Sequence, residues 1–191
     1  MKYFKKLLGD RIYLSPLAAD EEEIELFAKW LNDFETSDYI GRSNAITTFE
    51  AEKEFLTKKA LNNKDIQLAI VTIDENKFIG TVSLENIDYI NRTAILGIFI
   101  GDEENRNKGY GTEAIRLILD FGFNYINLNN IKLDLMEFNQ RAYKCYQKCG
   151  FKEYGRRRKC RFINGKYYDK IEMDVLAEEF TNTYIRNKNI K

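Results

Sequence analysis

The 191-residue chain contains no histidine. That single absence removes the Ser-His and Cys-His nucleophile systems and every histidine metal site. Any chemistry falls to Tyr, Glu, Asp, Lys, Cys or backbone groups. Cysteine is scarce: Cys145, Cys149 and Cys160 are an odd set in no disulfide or zinc pattern. Net charge is missing as well, because 30 Lys and Arg cancel 30 Asp and Glu. This argues against nucleic acid as a partner, since such binders usually carry a net basic surface. No apolar run approaches membrane-spanning length, and MKYFKKLLGD is too short in its apolar part for a signal peptide. The expectation is a cytoplasmic protein without a membrane partner. Repeats, low-complexity segments and linkers are also missing. One domain over residues 1–180 with a polar tail at 181–191 is the simplest organisation.

What is present reads as an ordinary core-forming chain, 44% hydrophobic and 31% charged. Arg11 to Leu17 forms a first strand that stops near Pro16, the only proline. Asp20 with Glu23 fits a capping pattern before an amphipathic helix carrying Ile24, Leu26, Phe27, Trp30 and Leu31. Asn32 to Ile46 is irregular and long for a plain connection, which suits a functional loop. Thr47 with Glu50 reads as a second capping box, opening a helix to Leu61. Strands follow at Gln67 to Ile73, Lys77 to Leu84 and Thr93 to Ile100, then a long helix and a strand from Ile131 to Met136. Asn139 caps a short helix closed by Gly150. Lys152 to Ile163 and Lys166 to Leu176 flank Asn164-Gly165, a strong hairpin signal. The order gives a mixed α/β sheet with helices packed on it.

The stretch from Leu96 to Ile126 organises the rest. A short apolar strand, Leu96 to Ile100, leads through a polar turn, Asp102 to Lys108, to Gly109-Tyr110-Gly111-Thr112 and a helix. Ile115, Ile118, Leu119, Gly122 and Ile126 recur on one face of that helix. The first amides of a helix lack internal partners and the dipole is positive there, so this is a place to hold a phosphate. A P-loop is excluded, because Gly-Lys-Ser/Thr is absent. Gly109 to Ala114 formally matches the dinucleotide pattern G-x-G-x-x-A, with Asp134 about 20 residues on. The context disagrees: seven polar residues separate the strand from the first glycine, Asp134 falls within a strand, and no second mononucleotide half follows. A third option is that both glycines only shape a tight turn.

Two motifs in sequence carry a more specific reading. Arg106-Asn107-Lys108-Gly109-Tyr110-Gly111 matches Q/R-x-x-G-x-G/A. Asn139-Gln140-Arg141-Ala142, Tyr146 and Lys148-Cys149-Gly150-Phe151 follow roughly N-x-x-A-x-x-x-Y-x-K-x-G-F. Together, and with the element order, they resemble the GNAT superfamily of acetyl-CoA-dependent N-acyltransferases over nearly the whole chain. The resemblance implies an α/β (α+β) fold with a mixed, mostly antiparallel sheet, splayed central strands and about four flanking helices. It implies acetyl-CoA as cofactor, with the pantetheine arm on the backbone of Ile98, Phe99 and Ile100. The pyrophosphate falls on the amides of Asn107, Lys108, Gly109, Tyr110, Gly111 and Thr112, with charge from Arg106 and Lys108. By the same resemblance Asn139 would bond the amide arm and Tyr146 would be the general acid, and a free strand amide around Phe99 would face the oxyanion.

Physical chemistry sets the same demands. Transfer to an amine needs the amine neutral, although its pKa is about 10.4. It needs a donor for the oxyanion and a proton for the leaving thiolate. Tyr146 has a second reading as core, because Ala142, Cys145, Tyr146 and Cys149 share one apolar helix face. Cys145 and Cys149 read as packing, and Asn139 also reads as a cap. Many relatives carry a basic Glu where this chain has Ile95, so Glu85 and Asp88 become the candidate bases acting through water, or else form only a solvated strand end, with deprotonation by solvent as the alternative. The acceptor is a small amine or polyamine, or a protein N-terminus, since the C-terminal part resembles both spermidine and ribosomal-protein acetyltransferases. Acids at Glu21, Glu22, Glu23, Asp33, Glu35 and Asp38 suit a polycation, or merely a solvated face. Arg156 to Lys159 reads as a cofactor or acidic-partner contact, or a solvated strand edge. A homo-oligomer is left open. The alternative function is a non-catalytic acyl-CoA sensor or scaffold.

Overall fold

The computed structural model describes residues 2–61 and 64–185. A single eight-stranded sheet runs through the molecule in the order β1-β2-β3-β4-β5-β6-β8-β7. Its strands are β1 Leu7–Leu8, β2 Ile12–Pro16, β3 Ile66–Thr72, β4 Phe78–Asp88, β5 Thr93–Ile100, β6 Asn130–Met136, β7 Lys152–Ile163 and β8 Lys166–Leu176. The helices are α1 Glu21–Asn32, α2 Phe34–Ser37, α3 Phe49–Leu61, α4 Tyr110–Asp120 and α5 Gln140–Lys148. All neighbouring strands are antiparallel except β5 and β6.

That parallel pair shapes the site. β5 and β6 are in register only at Thr93–Asn130, Ala94–Ile131 and Ile95–Lys132. Beyond them β5 stays with β4 as far as Ile100, while β6 stays with β8 as far as Met136. The strands therefore part, leaving one backbone edge of Leu96 to Ile100 outside the ladder. This corrects the expectation of a buried strand: Gly97 to Ile100 are only half-buried, since they border open space rather than a neighbour.

Each face of the sheet has its own core. On one, Ile115, Leu117, Ile118 and Leu119 of α4 pack with Leu84, Leu96, Ile131 and Met173. On the other, Ile24, Phe27 and Trp30 of α1 meet Ala69, Val71 and Phe78. Asp20 caps α1, accepting from the Glu23 amide at 3.1 Å. The reciprocal half of the box differs, because the Glu23 carboxylate accepts from the Ala19 amide at 2.7 Å. For α3 the cap is Thr48, whose hydroxyl accepts from the Ala51 amide. Thr47 instead exchanges two hydrogen bonds with Asn32, which fixes the loop between α1 and α3.

The helix expected to reach Ile126 is α only to Asp120. Phe121–Tyr125 is a π turn, with the Ile126 amide donating to the Phe121 carbonyl. Asp120 is buried below that turn, and its carboxylate accepts from the amides of Tyr184 and Ile185. The polar tail expected from residue 181 thus enters the described region as a segment fastened to α4. Its residues 186–191 lie outside the described residues.

Candidate active site

The gap between β5 and β6 is a cleft of about 520 Å³. Its walls come from β5, the loop after it, the start of α4, the end of β6 and one face of α5. Of the residues singled out in the sequence, Ile98, Phe99, Ile100, Arg106, Asn107, Gly109, Tyr110, Gly111, Thr112, Asn139 and Tyr146 all line it. Lys108 and Glu85 do not. Lys108 is exposed on the outside of the loop, where its carbonyl accepts from Arg11 Nη1 at 2.8 Å. Glu85 sits on β4 opposite Ile95, bonded to Ser83 and to Lys59. Asp88 is occupied in a turn, accepting from the amides of Ile90 and Asn91.

The glycine loop is held from both sides. Arg106 donates to the carbonyls of Ile100 and Gly101 and to Thr36 Oγ1 at 2.7 Å, so its guanidinium braces the loop against α2. On the far side the Glu113 carboxylate accepts from the amides of Asp10, Arg11 and Ile12, and pairs with Arg11 Nε at 3.2 Å. Gly109 closes the loop at φ +86°, a left-handed conformation that disfavours any Cβ. From there the amides of Tyr110, Gly111 and Thr112 open α4 without helical partners. The loop is thus a rigid donor cradle at the positive end of a helix dipole.

α5 supplies the opposite wall. Asn139 Oδ1 accepts from the Ala142 amide at 3.1 Å, which leaves the side-chain nitrogen for the cleft. Tyr146 is 8% exposed and packs on Phe151, ring centroids 5.9 Å apart. It serves as core and cleft wall together. Burial pushes its phenol well above the ordinary range, so it carries its proton throughout physiological pH.

Three features were not anticipated. Arg141, Lys144 and Lys148 also line the cleft. Their spacing of three and four residues puts three cations on one helix face, a signal readable in the sequence. Cys145 lines it too, its sulfur 3.2 Å from Thr112 Oγ1. The neighbouring Cys149 thiol holds Cys145 below the usual thiol range, and Cys149 is pushed up in turn. Finally, a second cavity of about 730 Å³ adjoins the first and shares Glu35, Tyr39, Arg106, Asn107 and Arg141 with it. Phe34, Asp38, Glu103, Phe138, Ile163, Asn164 and Tyr168 complete this vestibule. Of the remaining acids, Glu21, Glu22 and Glu23 occupy the first turn of α1, and Asp33 caps α2. The Arg156 to Lys159 cluster lies on the exposed edge strand β7, outside both cavities. Among the described residues no cluster of potential ligands could hold a metal ion, and no helix is long and apolar enough to cross a membrane.

Comparison with known proteins agrees with this geometry. Residues 11–152 match the acetyltransferase (GNAT) domain family. A spermidine N(1)-acetyltransferase of Vibrio cholerae is 33% identical over 135 residues, covering 71% of this chain and 77% of that protein. The probable N-acetyltransferase YjcK of Bacillus subtilis is 30% identical over 175 residues, 89% of this chain and 96% of its own length. The crystal structure of the Vibrio cholerae spermidine N-acetyltransferase in complex with CoA and spermine superposes with a TM-score of 0.80 at 27% identity. It covers 90% of this chain and 99% of the other. A donor cradle at a helix start, parted central strands and a protonated tyrosine in the gap thus coincide with a family match over most of the sequence, and the chain belongs to the GNAT acetyltransferases.

Proposed function

We propose that the protein transfers an acetyl group from acetyl-CoA to a primary amine, and that the amine is a polyamine. The observation that carries the transfer is the opening between β5 and β6, with Tyr146 on one side and the amides at the start of α4 at one end. The residues fit the cofactor. Gly109 and Gly111 allow a diphosphate close to the backbone. Arg141, Lys144 and Lys148 offer charge to its phosphates. The outward backbone groups of Ile98 and Ile100, on the edge that β6 leaves, suit an extended amide arm, with the Asn139 side-chain nitrogen facing it, while Phe99 between them is turned to β4. Acetyl-CoA supplies an acetyl group activated as a thioester.

The chain's own groups then do the following. The register turns the Phe99 amide onto β4, opposite Thr81, as Gly101 likewise donates to the Ile79 carbonyl. The amide of Ile98, on the open edge, therefore replaces the expected Phe99 donor and stabilises negative charge developing on the acyl oxygen. Tyr146, kept protonated by burial, donates to the departing sulfur. The vestibule supports the polyamine reading. Carboxylates at Glu35, Asp38 and Glu103 attract a cation, and the packed rings of Phe138 and Tyr168 give it an aromatic wall. Of the two guanidiniums there, Arg106 is turned onto carbonyls, and Arg141 lies over the Tyr39 ring at 5.6 Å, on the wall the vestibule shares with the cleft.

The test is an acceptor panel of polyamines, monoamines and short peptides read by product mass. Tyr146→Phe should lower kcat about 10²-fold or more while leaving acetyl-CoA affinity unchanged. Equal activity would remove Tyr146 from the mechanism. Acetylation confined to a peptide N-terminus would replace the polyamine reading. Cofactor binding with no turnover on any amine would favour the sensor alternative.

A further inference from the structure

We infer that Ser83 and Glu85 form the relay that carries the proton away from the acceptor amine, an inference that rests on the acetyl-transfer reading above. The sequence offers no carboxylate at Ile95, and among the described residues the carboxylates on the cleft walls are Glu35 and Asp134. Asp134 is paired with Lys170. The relay comes instead from the neighbouring strand. Thr81, Ser83 and Glu85 alternate along β4 onto one face, opposite Phe99, Gly97 and Ile95 of β5. Phe99 on that face packs on Phe27 and Trp30 of α1. Ile98 and Ile100, one residue out of phase, pack instead toward the α4 core. The cleft passes between the two faces, and Ser83 lies on the side away from the glycine loop.

Gly97 links Ser83 to the cleft. A Cβ built on Gly97 would stand 2.6 Å from Ser83 Oγ. The serine hydroxyl therefore occupies the space that any other residue at 97 would fill, and no side chain separates it from a residue lining the cleft. Ser83 is 5% exposed, and its hydroxyl donates to Glu85 Oε1 at 3.2 Å. Lys59 of α3 donates to the same oxygen at 3.3 Å and pairs with Asp65 at 3.4 Å. The Glu85 side chain is 39% exposed, so a proton arriving there can leave to solvent.

The step balances without a co-reactant. The ammonium of the acceptor gives a proton to a water seated against Gly97. That water passes a proton to Ser83 Oγ as the Ser83 hydroxyl proton moves to the Glu85 carboxylate, which then releases it to bulk water. One proton travels from nitrogen to solvent, no bond to carbon changes, and the nitrogen lone pair is free to attack.

The experiment compares wild type, Ser83→Ala, Glu85→Gln, the double variant and Gly97→Ala in kcat/KM from pH 6 to 10. Acetyl-CoA affinity by calorimetry and Tm are measured alongside. Each single variant should lose about 10²-fold at pH 7. The loss should shrink toward pH 10, where the amine is already the free base. The double variant should be no worse than the singles, because the groups act as one unit. Gly97→Ala should reproduce the defect with both relay residues intact, and affinity for acetyl-CoA should not move in Ser83→Ala or Glu85→Gln. A wild-type profile in Ser83→Ala or Glu85→Gln, or a loss equal at every pH, would overturn the relay alone. Absence of turnover by the wild-type protein with every amine would overturn both the relay and the function it serves.

Discussion

Cys145 illustrates how one side chain changes meaning between sequence and fold. Its spacing from Ala142, Tyr146 and Cys149 describes an apolar face, and Cys149 is indeed buried. Cys145 itself reaches the cleft beside Thr112, with its thiol held low by Cys149. Iodoacetamide at pH 7 should therefore modify Cys145 well before Cys149, and acetyl-CoA should slow the reaction; mass mapping of the alkylated peptides checks both. Glu23 offers a second case. It is fully buried, one of its oxygens has no hydrogen-bond partner, and burial pushes its carboxyl above the ordinary range. The folded state then holds a proton at pH values where the unfolded chain has lost it, so stability falls as pH rises through that window. Glu23→Gln should flatten this slope. Its Tm relative to wild type should rise from pH 4 to pH 7.

At the scale of elements, the glycine loop and the C-terminal segment are both fixed by carboxylates borne on α4. Glu113 in its first turn holds the β1–β2 connection, while Asp120 in its last turn holds Tyr184 and Ile185. Asp120 also accepts from Asn124 Nδ2 at 2.9 Å, which ties the π turn into the same anchor. Arg116 stacks over the Tyr184 ring and reaches the Lys148 carbonyl, so the segment also touches the end of α5. Asp120→Ala strands the half-buried amides of Tyr184 and Ile185, at a cost of about 1–3 kcal/mol. For a chain of this length that lowers Tm by about 2–4 °C per kcal/mol. Thermal unfolding of the variant should show that drop, together with faster amide exchange at Tyr184 and Ile185.

At the scale of the whole molecule, the sheet serves as a frame with one deliberate opening. Six of the seven strand pairings are antiparallel and continuous or interrupted only by local register shifts; the parallel pairing of β5 with β6 ends after three residues. A ligand seated there bridges two halves of the sheet that share little else at that level. Acetyl-CoA at about 100 times its Kd should add roughly 2.7 kcal/mol to folded-state stability. NAD and ATP should leave Tm unchanged. A shift with NAD instead would revive the dinucleotide reading of Gly109 to Ala114.

The sequence by itself determined the elements and the donor cradle. Caps at Asp20 and Asn139, the alternation of β6 and the turn at Asn164-Gly165 act over a few residues, so composition and period express them directly. Thr93–Ile100, Lys152–Ile163 and Lys166–Leu176 are strands at the expected bounds for that reason. Where two local choices were nearly equal, tertiary contacts decided. Asn32 claims Thr47, and the cap of α3 passes to Thr48. The parting of β5 from β6, the placement of Ser83 against Gly97 and the vestibule joining α2, the start of α5 and the β7–β8 turn were decided by the fold alone. Each depends on residues far apart in the chain meeting at a register set by packing on both faces of the sheet, and no local pattern records which strand ends up beside which gap.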